Sequence, residues 1–153
     1  MNNIDTKSCH DEIDTKLAQL EFVRLKIPRL IPLELIESVK GRTFTPEQFY
    51  INQEQNIDNP YNLLYALIDE KKKIHGYLWA VVEWDGSLFV NTFSITKEYW
   101  GKGKAIAKVC EFLKEIIDKV KINKVFWATT NEKFFMKHGF RKSKIQLMEY
   151  NSN

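Results

Sequence analysis

The chain has 153 residues, 23 of them Lys or Arg and 20 Asp or Glu, for a formal charge of +3. Such a length serves one domain with a core that needs neither disulfides nor metal, and 44% hydrophobic residues can supply it. The charge is too mild for a dedicated nucleic-acid binder yet leaves room for an anionic ligand. Residues 1–16 are polar and are expected to form a flexible N-terminal tail, with a single domain over 17–153. Alternating apolar residues near the end of 17–27, stopped by Pro28, suggest a first strand. Leu33–Lys40 lies between Pro32 and Gly41, a helix start and stop in the right order. Thr45 as N-cap and Pro46 at the first helical position mark a second helix. A polar loop is expected over 51–62.

From Leu63 the texture changes. NLLYALI, IHGYLWAVVEW and SLFVNTFSI are separated by a charged turn at 69–73 and by Asp85-Gly86, which predicts three antiparallel strands in a meander. Ile106, Val109, Cys110, Leu113, Ile117 and Val120 then recur at three- and four-residue spacing, so a helix follows and packs on the sheet. Residues 124–129 form a strand in this scheme, 132–138 a short helix closed by Gly139, and 140–150 a last strand. The fold class is α+β: a mixed, largely antiparallel sheet flanked by helices.

Residues 97–144 hold 13 basic residues against five acidic, a local charge of +8, and the remainder carries −5. Lysines on solvated helix faces explain such a run as well as a phosphate site does. What distinguishes the two is a backbone device for holding phosphate, and the segment contains a candidate. In Trp100-Gly101-Lys102-Gly103-Lys104-Ala105 the small residues let a ligand approach the backbone, and the helix starting there presents unpaired N–H groups and the positive end of its dipole.

This passage closely resembles the coenzyme A-binding motif of the GNAT N-acetyltransferases, in which Arg/Gln-x-x-Gly-x-Gly/Ala follows the fourth strand. Phe134-Phe-Met-Lys-His-Gly-Phe140 is similar to the family's short helix ending in Lys-x-Gly-Phe, and residues 63–150 match in element order. The resemblance implies a sheet splayed at the cofactor site. It also implies pairing of Phe93, Ser94 and Ile95 with the pantetheine arm of acetyl-CoA, and a pyrophosphate held by amides of Trp100, Gly101, Lys102, Gly103, Lys104 and Ala105. It assigns Asn131 a hydrogen bond to the cofactor, although Asn131 suits a helix N-cap equally well. Two positions differ from the family: Trp100 stands where it carries Arg or Gln, and Phe135 aligns with a Tyr that many members use to protonate the departing thiolate.

The activity so implied is transfer of an acetyl group from acetyl-CoA to a primary amine, by direct attack in a ternary complex. The acceptor is a small molecule or a protein. For the base that takes the amine's proton the chain offers Glu83, Asp85, Glu98, His75 and His138, of which Glu83, near the end of its strand and hence near the splay, is favoured. A competing expectation, supported by Trp100 and Phe135, is a catalytically degenerate protein acting through protein contacts, as a phage or host factor. Nucleic-acid binding ranks last for want of recognition motifs. An exposed final strand could pair two subunits into a homodimer.

No Cys/His cluster has metal-ligand spacing, so no metal is expected. Cys9 and Cys110 are too few for a disulfide framework. No apolar run approaches the roughly 20 residues of a membrane span, and the start lacks a signal peptide's apolar centre. A cytoplasmic protein is expected. Nineteen Lys against four Arg, with abundant Ile and Asn, fit AT-rich coding in a bacterium or phage.

Overall fold

The computed structural model describes residues 12–39, 43–101, 103–129, 132–144, 148 and 150. Residues 12–19 form a helix, α1. Ile13 and Leu17 lie four apart and so share one face, which packs with Leu20 against Leu67, Ile95, Tyr99 and Ala105. The boundary expected at residue 16 therefore falls inside a helix. The strand expected over 17–27 shrinks to β1 (Glu21–Arg24), because helix periodicity governs the residues before it.

A 3-10 turn at Pro28–Leu30 leads to α2 (Leu33–Glu37) and then α3 (Pro46–Gln55). A capping box starts α3: the Gln48 amide donates to Thr45 Oγ1 at 3.2 Å, and the Thr45 amide donates to Gln48 Oε1 at 2.8 Å. The helix continues to Gln55, where a polar loop was expected from residue 51. Its inner face is Phe49, Tyr50 and Gln53. Gln53 is fully buried and accepts a hydrogen bond from Asn62 Nδ2 at 2.9 Å. A glutamine on the buried face hides the helix from any test that looks for an apolar stripe.

The meander is β2 (Asn62–Ile68), β3 (Ile74–Val82) and β4 (Ser87–Ile95), all antiparallel, with β1 antiparallel to the outer side of β2. After a second 3-10 turn at Lys97–Tyr99, α4 (Lys104–Val120) crosses over to β5 (Lys124–Trp127), which pairs parallel to β4. The strand order is β1-β2-β3-β4-β5. The fold is the α+β arrangement expected from the pattern of elements. α5 (Glu132–Lys137) follows. Among the described residues of 140–150 none lies in a strand, and 145–147 and 149 fall outside the described residues.

Each face of the sheet has its own core. Leu64, Ala66, Tyr77 and Trp79 pack under α2 and α3. Leu63, Leu78, Ala80, Leu88 and Val90 pack under Val109, Leu113 and Ile116 of α4. Phe22 of β1 stacks on Phe112 with ring centroids 4.1 Å apart, fixing the edge strand to the long helix. No helix of the described residues is long and apolar enough to cross a membrane.

Candidate active site

β4 and β5 pair only from Ser87 opposite Lys124 to Val90 opposite Trp127. β4 then runs on to Ile95, and among the described residues its outer main-chain groups have no strand partner beyond Val90. A bulge marks the parting. Ala80 pairs with Val90 but Trp79 pairs with Thr92, leaving Asn91 as an extra residue. Before the bulge Leu88 and Val90 face α4; after it Phe93 and Ile95 do, while Thr92 sits opposite Trp79 on the α2 side.

The gap opens into a cleft of about 490 Å³. Its walls are Asn91–Ile95 of β4, Trp127 and Ala128 at the end of β5, Ser38 and Val39 after α2, and Tyr99–Gly101, Gly103, Ala105 and Ile106 at the start of α4. Of the residues assigned to the cofactor by sequence, Phe93, Ser94, Ile95, Trp100, Gly101, Gly103 and Ala105 meet here. Lys102 and Asn131 lie outside the described residues.

The start of α4 is shaped by two glycines with positive φ. Gly103 is its N-cap at +70°, and no side chain among the described residues caps the helix, which leaves first-turn N–H groups available as donors. Gly101, at +93°, would present an added Cβ to open space, whereas a Cβ on Gly103 would lie 1.9 Å from Cε2 of Phe134. One glycine thus leaves room on the cleft side and the other admits the ring of α5. Trp100 is half exposed, and its indole Nε1 donates to the Ile95 carbonyl at 2.7 Å. Lys97 Nζ stands 5.9 Å from its ring centroid.

The Lys104 ammonium is ion-paired with the Asp14 carboxylate of α1, and Lys108 Nζ donates to the Ala18 carbonyl at 3.4 Å. The α2 wall is tied to β4 by hydroxyls: Ser94 Oγ donates to the Leu35 carbonyl at 2.7 Å and lies 3.0 Å from Ser38 Oγ. Ser94 therefore spends its side chain on α2 and offers only backbone to the cleft. Thr96 Oγ1 is buried with no hydrogen-bond partner among the described residues.

A second cavity of about 530 Å³ adjoins the cleft, and Trp127 and Ala128 line both. Phe89, Phe126, Phe135, Met136 and Phe140 supply further large apolar lining, with Glu83, Glu132, Arg141 and Lys142 as charged lining. Phe135 lines this second cavity and not the cleft; it is buried, with its ring centroid 4.8 Å from that of Trp127 and 5.3 Å from that of Phe140. Glu83 also lies here, exposed on the β3–β4 connection. Its amide donates to Ser87 O at 2.8 Å, at the start of β4. The splay is at the other end, beyond Val90, about 10 Å further along at 3.3 Å per residue.

The remaining candidate bases serve local structure. His75 Nε2 lies 2.8 Å from Asp69 Oδ2, and its Nδ1 is 3.8 Å from Glu98 Oε1. The His75 bond, with the amides of Lys73 and Lys71, holds the Asp69 carboxyl below the usual carboxylate range. Asp85 is lowered likewise by the hydroxyl and amide of Ser87, which close the β3–β4 turn. His138 lies at the end of α5 with its ring 4.8 Å from that of Phe134. Sequence reasoning missed Ser38, Asn91, Thr92, Trp127 and Ala128 as cleft walls. For Asn91 a signal existed: apolar alternation along β4 slips by one residue between Val90 and Phe93.

No protein-family model and no curated protein matches the sequence. Solved structures do match in three dimensions. A possible acetyltransferase from Clostridium difficile 630 superposes with a TM-score of 0.70 at 15% identity, over 88% of this chain and 99% of that one. Glucosamine-6-phosphate N-acetyltransferase from Arabidopsis thaliana gives 0.59 at 20% identity, over 86% and 97%. The spermidine/spermine N-acetyltransferase SpeG from Vibrio cholerae gives 0.66 at 15%, over 90% and 87%. The chain has the fold of the GNAT acetyltransferases, the likeness that its motifs already implied.

Proposed function

We propose that the protein transfers an acetyl group from acetyl-CoA to a primary amine, by direct attack in a ternary complex. The observation that carries this is the cleft where β4 leaves β5 beside the uncapped start of α4. That geometry suits a long, amide-rich ligand with an anionic end. The pantetheine amides would pair with the free edge of β4 at Phe93–Ile95, and the pyrophosphate would take the donors between Gly101 and Ala105. The open side of Gly101 gives a phosphate oxygen access to backbone.

Positioning does most of the work in such a site. The neutral amine nitrogen attacks the thioester carbon, a C–N bond forms and the C–S bond breaks. A thiolate with an ordinary pKa near 8.5 leaves without a strong acid. This accommodates Phe135, whose ring has no proton to give and which lines the neighbouring cavity. That spermidine/spermine and glucosamine-6-phosphate N-acetyltransferases share the fold supports an amine acceptor.

Calorimetry with acetyl-CoA and CoA tests the cosubstrate, and saturable binding of both is expected. No heat at millimolar ligand would sink the proposal. Mass spectrometry of amines incubated with acetyl-CoA tests the transfer; CoA binding with no acetylated product from a broad amine and peptide panel would point instead to a protein that has lost catalysis.

A further inference from the structure

The antiparallel ladder decides which way β4 offers its backbone beyond the parting. The Thr96 amide donates to the His75 carbonyl at 2.8 Å, and the same register runs back through Ser94 and Thr92. These residues therefore turn their N–H and C=O groups toward β3, and Phe93 and Ile95 turn theirs to the open side. The last of the open carbonyls is taken: Ile95 O accepts from the Trp100 indole Nε1 at 2.7 Å. Trp100 thus stands across the end of the groove, where it lines the cleft with Gly101 and the start of α4. Ile95 lies five residues past Val90, about 16 Å at 3.3 Å per residue, too far for the ring to touch an acceptor reacting at the parting. The indole N–H is committed, so Trp100 does not replace the donor that an Arg or Gln supplies at this position. What it offers is a ring. The residue is 53% exposed, and the Lys97 ammonium at 5.9 Å from the ring centroid puts a positive charge beside it. An aromatic face flanked by a cation next to a helix start suits a nucleotide, whose base stacks and whose phosphates meet the charge.

We propose that Trp100 is the platform on which the adenine of acetyl-CoA stacks, so that this chain holds the nucleotide end of its cosubstrate by ring contact in place of a side-chain donor to phosphate. The inference rests on the acetyl-CoA reading above and names the residue that sets affinity at that end. With the pantetheine amides along Phe93–Ile95 and the pyrophosphate between Gly101 and Ala105, the adenosine is the part of the ligand beyond the pyrophosphate and away from the thioester. Trp100 is the exposed ring of the cleft wall there. Of the other rings in that wall, Tyr99 is buried, and Phe93 and Trp127 pack edge to face with centroids 6.4 Å apart where β4 and β5 separate. The bond to Ile95 fixes the edge of the indole, so a base meets a ring already oriented, with little side-chain freedom left to lose.

The test titrates the full chain calorimetrically with CoA and with 4′-phosphopantetheine, which ends at the first phosphate and has no adenosine. Trp100→Ala should weaken CoA binding about tenfold and leave 4′-phosphopantetheine within about twofold of wild type. Trp100→Phe keeps a ring and drops the N–H to Ile95, and should hold CoA within about threefold of wild type. Unchanged CoA affinity in Trp100→Ala overturns the inference. So does an equal loss for both ligands, which would make Trp100 a brace for the loop, and so does a Trp100→Phe protein as weak as Trp100→Ala, which would put the effect in the N–H and not in the ring. Failure of wild type to bind CoA is read separately, from the same titration, and removes the proposed function first.

Discussion

Gly103 shows how much one residue carries at this site. It takes a positive φ that costs an ordinary residue about 1–2 kcal/mol, and its missing side chain admits the Phe134 ring against the start of α4. Gly103→Ala is therefore expected to destabilise the fold by more than about 2 kcal/mol, from backbone strain and overpacking together. Adding Phe134→Ala to the same chain should recover the overpacking part and leave the strain, as urea denaturation of the three proteins would reveal. Equal midpoints for wild type and Gly103→Ala would contradict the packing. The glycine pattern was legible in the sequence because a tight turn before an amphipathic helix has few other spellings. The ring that makes Gly103 obligatory was not, since it arrives from 31 residues further along the chain. Lys104 is the counterpart: beside the glycines it looks like a phosphate ligand, and only the folded chain brings Asp14 to it.

Among the elements, α1 has the clearest effect on function. Its Asp14 offsets the one described lysine in the first turn of α4, a side-chain pair about half exposed on both sides. Pairs so exposed add little stability, but this one competes with an anionic ligand for the same ammonium. Asp14→Asn is expected to leave the melting temperature within about a degree or two and to tighten CoA binding about two- to fivefold at low ionic strength. In about 0.5 M salt, where the Debye length falls to a few ångströms, the gain should vanish. Unchanged affinity in a low-salt titration would show that Lys104 takes no part in the site. α1 escapes sequence reading because only two apolar side chains anchor it, and α3, whose start Thr45 and Pro46 announce, runs past its expected end because Gln53 lies on its buried face. α4 and the meander were legible because each repeats its own apolar period over many residues.

At the scale of the molecule, acid stability is set partly by the Asp69 cluster that joins the β2–β3 turn to His75. The Asp69 carboxyl titrates below its ordinary value in the fold, so its stabilisation is complete above the unfolded value of about 3.9 and is lost as pH falls through the lower folded value. Between about pH 5 and pH 2 the stability of Asp69→Asn should fall less than that of wild type; parallel curves in denaturant titrations across that range would refute the linkage. The overall architecture was legible from the meander and its crossover, and the +8 segment does coincide with α4, β5 and α5. What sequence could not show was where the sheet opens, because that depends on how far β5 follows β4. The bulge at Asn91 has a consequence for how the chain tolerates change. Deletion of that single residue would leave Ala80 opposite Val90 and Trp79 opposite Thr92, so Phe93 and Ile95 would still face α4 and the hydroxyls of Thr92 and Ser94 would stay on the α2 side. An added residue at this point bends the strand without exchanging its faces, so a chain shortened by one would keep its apolar layers in place and straighten β4 where β5 parts from it.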